Sequence, residues 1–296
     1  ATGATTAGIG TDSARDDSAR PPVKEVCMRY SERQHYQDLE KGRKHPDPYE
    51  NEKTVFRKIG DIPTVKQVAI ATFTDGHGFQ KHSRDDVFEV FQVLEGRGQF
   101  NVTDYATQEE TVIKAQAGTM LYLPPGVAHS GNLSPGLKIL MISIVPEPKF
   151  ACSTDNPQRT EECGAPETAE VNLNFKTIEL LDAAQEPAKS NPKVLERNLL
   201  STFEIPNIAT FTQATFPSGE ALEPEIHKDA YKVYFVMRGS GHFLLGEDTH
   251  DLYPGDMVTV QPGMRHSPIA GDDEELQLLY FTVVVKDERC HVVPRQ

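Results

Sequence analysis

The chain has no apolar stretch approaching the roughly 18 residues that a membrane-crossing helix requires, so an α-helical anchor is not expected within it. It is also poor in basic side chains. Thirty Lys and Arg stand against 44 Asp and Glu, a formal net charge of −14, and no cationic stripe is long enough to follow a phosphate backbone. Nucleic acid and anionic membrane are therefore not expected partners. Cysteine is sparse: Cys27, Cys152, Cys163 and Cys290 show neither CxxC nor other zinc-site spacing. Cys152 and Cys163 flank one polar loop, a placement that suits a disulfide in an oxidising compartment and free thiols in the cytosol equally. No G-x-S-x-G occurs and no cysteine has a catalytic context. Gly76/Gly78 and Gly239/Gly241 read as β-turn glycines rather than as a phosphate loop opening a helix. The chain begins ATGATTAGIG, with neither methionine nor an apolar signal core. Asn101-Val-Thr and Asn132-Leu-Ser fit the glycosylation triplet, a pattern common by chance. Compartment stays open, with cytoplasm slightly preferred to secretion.

What is present describes a soluble globular protein. The 296 residues suffice for one large or two ordinary domains, with 38% hydrophobic and 25% charged side chains. Residues 1–22 are small and polar and end in Pro-Pro, the texture of a disordered tail. Residues 23–54 form a charged extension, with a short helix expected over Ser31–Lys41. Residues 55–148 carry short runs rich in Val, Ile, Phe, Thr and Tyr punctuated by Gly and Pro, such as VKQVAIATFT, DVFEVFQVLEG and LKILMISIV. Such runs are strands, and their spacing suggests a sandwich or barrel. Residues 149–172 lack apolar periodicity and read as a linker. Residues 173–296 open with a helix expected over 178–185 (IELLDAAQ) and continue with a second strand set, including AYKVYFVMRG and LQLLYFTVVV.

The two strand sets are copies. TFTDG at 72–76 and TFPSG at 215–219 lie 143 residues apart, and the same offset carries Gly96 onto Gly239. Gly118, Gly126 and His129 map onto Gly255, Gly263 and His266 at an offset of 137, which implies a loop six residues shorter in the second copy. A repeat this long is a duplicated domain rather than a solenoid.

In the first copy the spacing is Gly76-x5-His82-x-Arg84-x4-Glu89-x6-Gly96, followed by Gly118-x5-Pro124-x-Gly126-x2-His129. Residues two apart on a strand share a face, so His82 and Arg84 are expected on one face of one strand, with Glu89, Phe91 and Val93 on one side of the next. The bend at Pro124-Pro125-Gly126 could bring His129 to the same cavity. The second copy reads Gly219-x5-Glu225-x-His227-x4-Lys232-x6-Gly239, then Gly255, Pro262, Gly263 and His266.

This pair of motifs resembles those of the cupin superfamily, G-x5-H-x-H-x3-4-E-x6-G and G-x5-P-x-G-x2-H. The resemblance covers roughly residues 55–148 and 200–290. It implies an all-β protein, a bicupin of two tandem jelly-roll β-barrels, here with short peripheral helices. Carried over position by position, it implies metal ligands at His82, Glu89 and His129, with Arg84 where the family has a further histidine. Two imidazoles and a carboxylate are the composition suited to non-haem Fe(II), with Mn, Zn, Ni and Cu as alternatives. The expectation is one divalent transition metal in the first domain. Arg84 and Glu89 are the candidate catalytic residues, Arg84 clamping an anionic substrate unless it instead pairs with Glu89 in a site that has lost its metal. In the second copy Glu225, His227 and His266 are again two histidines and a carboxylate. Lys232, at the glutamate position, is expected to pair with Glu225 and to line a pocket or brace the barrel.

The functional expectation is a metal-dependent enzyme of the dioxygenase type acting on a small anionic or enolisable molecule. An isomerase, lyase or decarboxylase, and a non-catalytic storage or ligand-binding bicupin, are the alternatives. The fold leaves room for a homo-oligomer.

Overall fold

In a computed structural model the described residues are 32–35, 41–42, 51–74, 77–104, 107–145 and 175–284. The tail, the linker and all four cysteines lie outside them. Every paired strand among the described residues is antiparallel, and none of these residues is in a helix.

Each half is a large sheet facing a small one. In the first half the large sheet runs, in spatial order, Lys176–Glu179, Thr119–Leu123, Phe88–Glu95, Leu137–Ile144, Val65–Phe73, Asn51–Ile62 and Lys41–Gly42. Its small sheet is Phe79–His82, Ala128–Leu133, Arg97–Thr103 and Glu110–Gln116. The second half repeats the plan. Glu32–His35, Asp256–Val260, Ala230–Arg238, Leu276–Val284, Ile208–Phe216, Leu195–Leu200 and Glu186–Pro187 face Asp248–Leu252, Gly241–Leu245 and His266–Ala270. The sheets are not closed into continuous barrels, and the architecture is the all-β jelly roll, twice.

Two short strands cross between the halves. Lys176–Glu179 pairs with Thr119–Leu123 of the first half, Ile178 lying opposite Met120. Glu32–His35 pairs with Asp256–Val260 of the second, Glu32 opposite Thr259. The first lies within the helix expected over Ser31–Lys41, whose residues 36–40 lie outside the described residues, and the second overlaps the start of the helix expected over 178–185; edge pairing explains the correction. Residues 33 and 35 share one strand face, and both side chains reach the buried carboxylate of Asp256. Of the segment 178–185 only Ile178 and Glu179 are in the strand. Its remainder is a turn in which the amides of Asp182 and Ala183 both donate to the Glu179 carbonyl. An open sheet edge satisfies backbone groups that an isolated short helix would leave to water, and it overrides weak local propensity.

The strands Phe88–Glu95 and Ala230–Arg238 are buried on both faces, which is why they read as nearly unbroken apolar runs. Alternate residues serve different cores. Phe91 and Val93 face the interior of the first barrel, and Tyr234 and Val236 that of the second. Phe88, Val90, Tyr231, Val233 and Phe235 join one core between the large sheets, where Phe56 meets Phe235 edge-on at 6.2 Å and Phe211 stacks on Phe281 at 5.6 Å. Polar contacts cross the same junction. The Tyr122 hydroxyl donates to the Glu204 carbonyl at 2.7 Å, and Asn207 hydrogen-bonds Thr64. The last glycine of the first motif is explained in both copies. Gly96 and Gly239 adopt φ of +80° and +76°, and a Cβ on Gly239 would lie 1.9 Å from the Glu275 carbonyl oxygen.

Candidate metal centre

In the second barrel a loop is stapled to a strand so that side chains distant in sequence converge. The backbones of Glu225 and His266 exchange two hydrogen bonds of 3.0 Å, and the Gly263 amide donates to the His227 carbonyl at 2.7 Å. Glu225 Oε1 is then approached by His227 Nε2 at 3.2 Å and His266 Nε2 at 3.4 Å. Both Nε2 atoms are buried and make no hydrogen bond. The His266 Nδ1 lies 2.9 Å from the Met264 carbonyl. A carbonyl can only accept, so Nδ1 carries the proton and the Nε2 lone pair is available to a metal. One donor atom from each of Glu225, His227 and His266 lies within 4.8 Å of the others, and among the described residues this is the one such group of three that could hold a metal ion.

Lys232 meets the same oxygen. Its ammonium hydrogen-bonds Glu225 Oε1 as the sequence suggested, and it rests over the rings of Tyr280 and Tyr234 at 4.7 and 5.3 Å. The Tyr234 hydroxyl is 3.5 Å from Oε1, and that of Tyr280 donates to Glu196 Oε1 at 2.8 Å. Burial alone would raise the Glu225 pKa. The close approach of His227, His266 and Lys232 outweighs that and holds the carboxyl well below the usual carboxylate range. His266 and Lys232 are buried, while Glu225 and His227 are about one-third exposed, at 38% and 33%, so the cluster opens to solvent on their side. Tyr234 and Tyr280 carry no signature in the motif spacing. Tyr234 could have been read from its place two residues after Lys232 on one strand face.

The first barrel places its residues differently. His129 is buried, with Nδ1 at 3.1 Å from the Val127 carbonyl and Nε2, without a hydrogen bond, 3.5 Å from Glu89 Oε2. The His82 and His129 rings lie 4.6 Å apart, with Phe79 against both and Phe91 against His129. His82 turns its Nδ1 to the Gln80 carbonyl at 2.8 Å. Burial lowers the His129 pKa to about 4. The Val127 carbonyl opposes this, and the charges of His82 and Arg84 add to it. Arg84 is not on a strand with His82, whose strand ends at His82 itself. The guanidinium instead lies against Asp86, Nε to Oδ1 at 3.6 Å, because the chain turns there and presents that carboxylate first. Gly76 lies outside the described residues.

Comparison with known proteins follows the two halves. The AraC-like ligand binding domain family matches residues 65–184, and the cupin domain family matches residues 212–284. An acireductone dioxygenase from Puccinia graminis f. sp. tritici is 32% identical over 81 residues, which are 27% of this chain and 41% of that protein. The chain thus spans about two-fifths of that relative. The solved oxalate decarboxylase of Bacillus subtilis superposes with a TM-score of 0.59 at 13% identity, covering 89% of this chain and 79% of that one. The 7S globulin of Momordica charantia gives 0.57 at 16% identity, covering 85% and 83%. At such identities the likeness is one of fold. Two cupin-type domains in tandem, each with its two facing sheets, with Gly96, Gly118 and Gly126 of the first and Gly219, Gly239, Gly255 and Gly263 of the second all at positive φ, establish that the chain belongs to the cupin superfamily and is a bicupin.

Proposed function

We propose that this bicupin is a metal-dependent enzyme acting on a small anionic or enolisable organic molecule, and that its second barrel holds one divalent transition metal on Glu225, His227 and His266. The observation that carries the reading is the pair of buried Nε2 atoms, on His227 and His266, that make no hydrogen bond and lie beside one ionised carboxylate oxygen. Two imidazoles and a carboxylate suit Fe(II), and similarity to a protein named acireductone dioxygenase supports an oxygen-using reaction. A metal bound there supplies Lewis acidity and, as Fe(II), a means of activating oxygen.

The chain's own residues do the rest. The backbone bond from His266 Nδ1 holds that ring in its donor tautomer. Tyr234, Phe243 and Tyr280 wall the buried side of the cluster, around His266 and Lys232, with aromatic surface. In the first barrel His82, Glu89 and His129 are the second candidate ligand set. There Glu89 is the buried proton acceptor, and Arg84, once released from Asp86, is the clamp for an anion.

One observation favours a second reading, a metal-free ligand-binding protein: the Lys232 ammonium already neutralises Glu225. Elemental analysis by mass spectrometry of protein purified without chelator separates the two. The enzyme reading expects close to one equivalent of transition metal, before or after loading with Fe(II), that is lost in His227→Ala. Less than about a tenth of an equivalent after loading would exclude it. Oxygen uptake by the iron-loaded protein over a panel of enolisable acids tests the dioxygenase assignment, and a flat baseline would favour a lyase, decarboxylase or isomerase.

A further inference from the structure

Lys232 stands at the motif position that holds Glu89 in the first barrel. It is 6% exposed, so its ammonium cannot turn to bulk water, and its anionic contact is Glu225 Oε1. The tyrosine rings beneath it add a neutral, negatively polarised floor that keeps the charge in place. The oxygen that holds Lys232 is also the one that His227 and His266 approach. A cation held by Glu225, His227 and His266 therefore shares that oxygen with Lys232 and loosens the carboxylate's hold on the ammonium. A buried cation beside a second cation demands a replacement anion.

We propose that Lys232 is the anion-holding residue of this centre, and that it takes the carboxylate or enolate of a small organic acid once a metal has engaged Glu225. The inference rests on the metal reading of the second barrel and deepens it by naming the substrate class and the specificity-determining side chain. Its consequence is reciprocal coupling: the organic anion tightens metal binding and the metal tightens anion binding, by one and the same factor. Lys232 opposes the metal when no anion is present and favours the ternary assembly when one is.

The test uses the full chain, stripped of metal and titrated with Zn(II) against a chromophoric competing chelator, with and without formate as the anionic probe. In the wild type, formate is expected to tighten zinc binding on the order of tenfold. Lys232→Met is expected to bind zinc on the order of tenfold more tightly than wild type without formate, because a like charge is gone, and to show no response to formate. Lys232→Gln serves the same purpose should the methionine variant fail to fold. A wild-type affinity indifferent to formate, or a formate response that survives in both variants, would overturn the assignment of Lys232. His227→Ala identifies which zinc equivalent is being read. If wild type binds no zinc that His227→Ala abolishes, the metal reading itself fails and the anion role of Lys232 falls with it.

Discussion

Arg33 donates to Asp256 at 2.6 Å, joining a strand near the N-terminus to a carboxylate that is completely buried in the second barrel. The Tyr253 amide donates to the same oxygen at 2.8 Å, and His35 Nδ1 contacts the other oxygen of the carboxylate at 2.8 Å. Asp256→Ala is expected to destabilise the protein by roughly 2–3 kcal/mol and to speed hydrogen exchange of the amides of residues 32–35. Arg33→Ala, which leaves two of the three contacts, is expected to cost about 1 kcal/mol. Denaturant titration with hydrogen-exchange mass spectrometry reads both. Unchanged exchange in Asp256→Ala would mean that backbone pairing alone holds the strand.

Two motif glycines with positive φ should respond unequally to alanine. At Gly239 a Cβ meets the Glu275 carbonyl as well as backbone strain, and Gly239→Ala is expected to cost roughly 3–5 kcal/mol. At Gly118, with φ of +95°, a Cβ meets nothing within 4 Å, so only strain remains, about 1–2 kcal/mol. Equal losses in thermal or chemical unfolding would contradict this account of the motif.

The core between the large sheets predicts cooperative unfolding. Phe211 is fully buried there, and Phe211→Ala is expected to cost roughly 3–5 kcal/mol and to lower the stability of both barrels together in one transition. Calorimetry showing one barrel melting early while the other keeps its wild-type midpoint would show that this core does not couple them.

Acid should weaken the metal-free protein through His129. The unfolded chain protonates this imidazole near its ordinary value of 6.5, whereas burial in the folded state delays protonation to about 4. The unfolded state therefore binds the extra proton as pH falls through that window, and stability drops by up to roughly 3 kcal/mol, with no further loss from this group below it. His129→Gln should remove that component. It is checked by urea unfolding of chelator-treated protein at pH 7 and pH 5, where wild type and variant with the same pH dependence would refute the assignment.

Much of the architecture was legible in the chain. Strands show in the short β-rich runs, the duplication in the repeated spacings, and the motif glycines are set by backbone angles that no other residue adopts without strain. These are local constraints, and local constraints are written in sequence. Glu225, His227, Lys232 and His266 could all be named from the motif spacing, and they do form one contact group.

Tertiary structure decided the rest. Strands 32–35 and 176–179 lie on the edges of sheets built mostly by the other half of the chain, and long-range pairing there overrode the helical reading at residues 32–35 and at the start of 178–185. Arg84 faces Asp86 because its chain leaves the strand at His82, a break that a period-two reading cannot foresee. Which ligand set draws three donors together was likewise hidden. Composition gives both barrels two histidines and a carboxylate, but convergence depends on a loop stapled by the Glu225–His266 backbone pair, and the distances that follow are a property of packing.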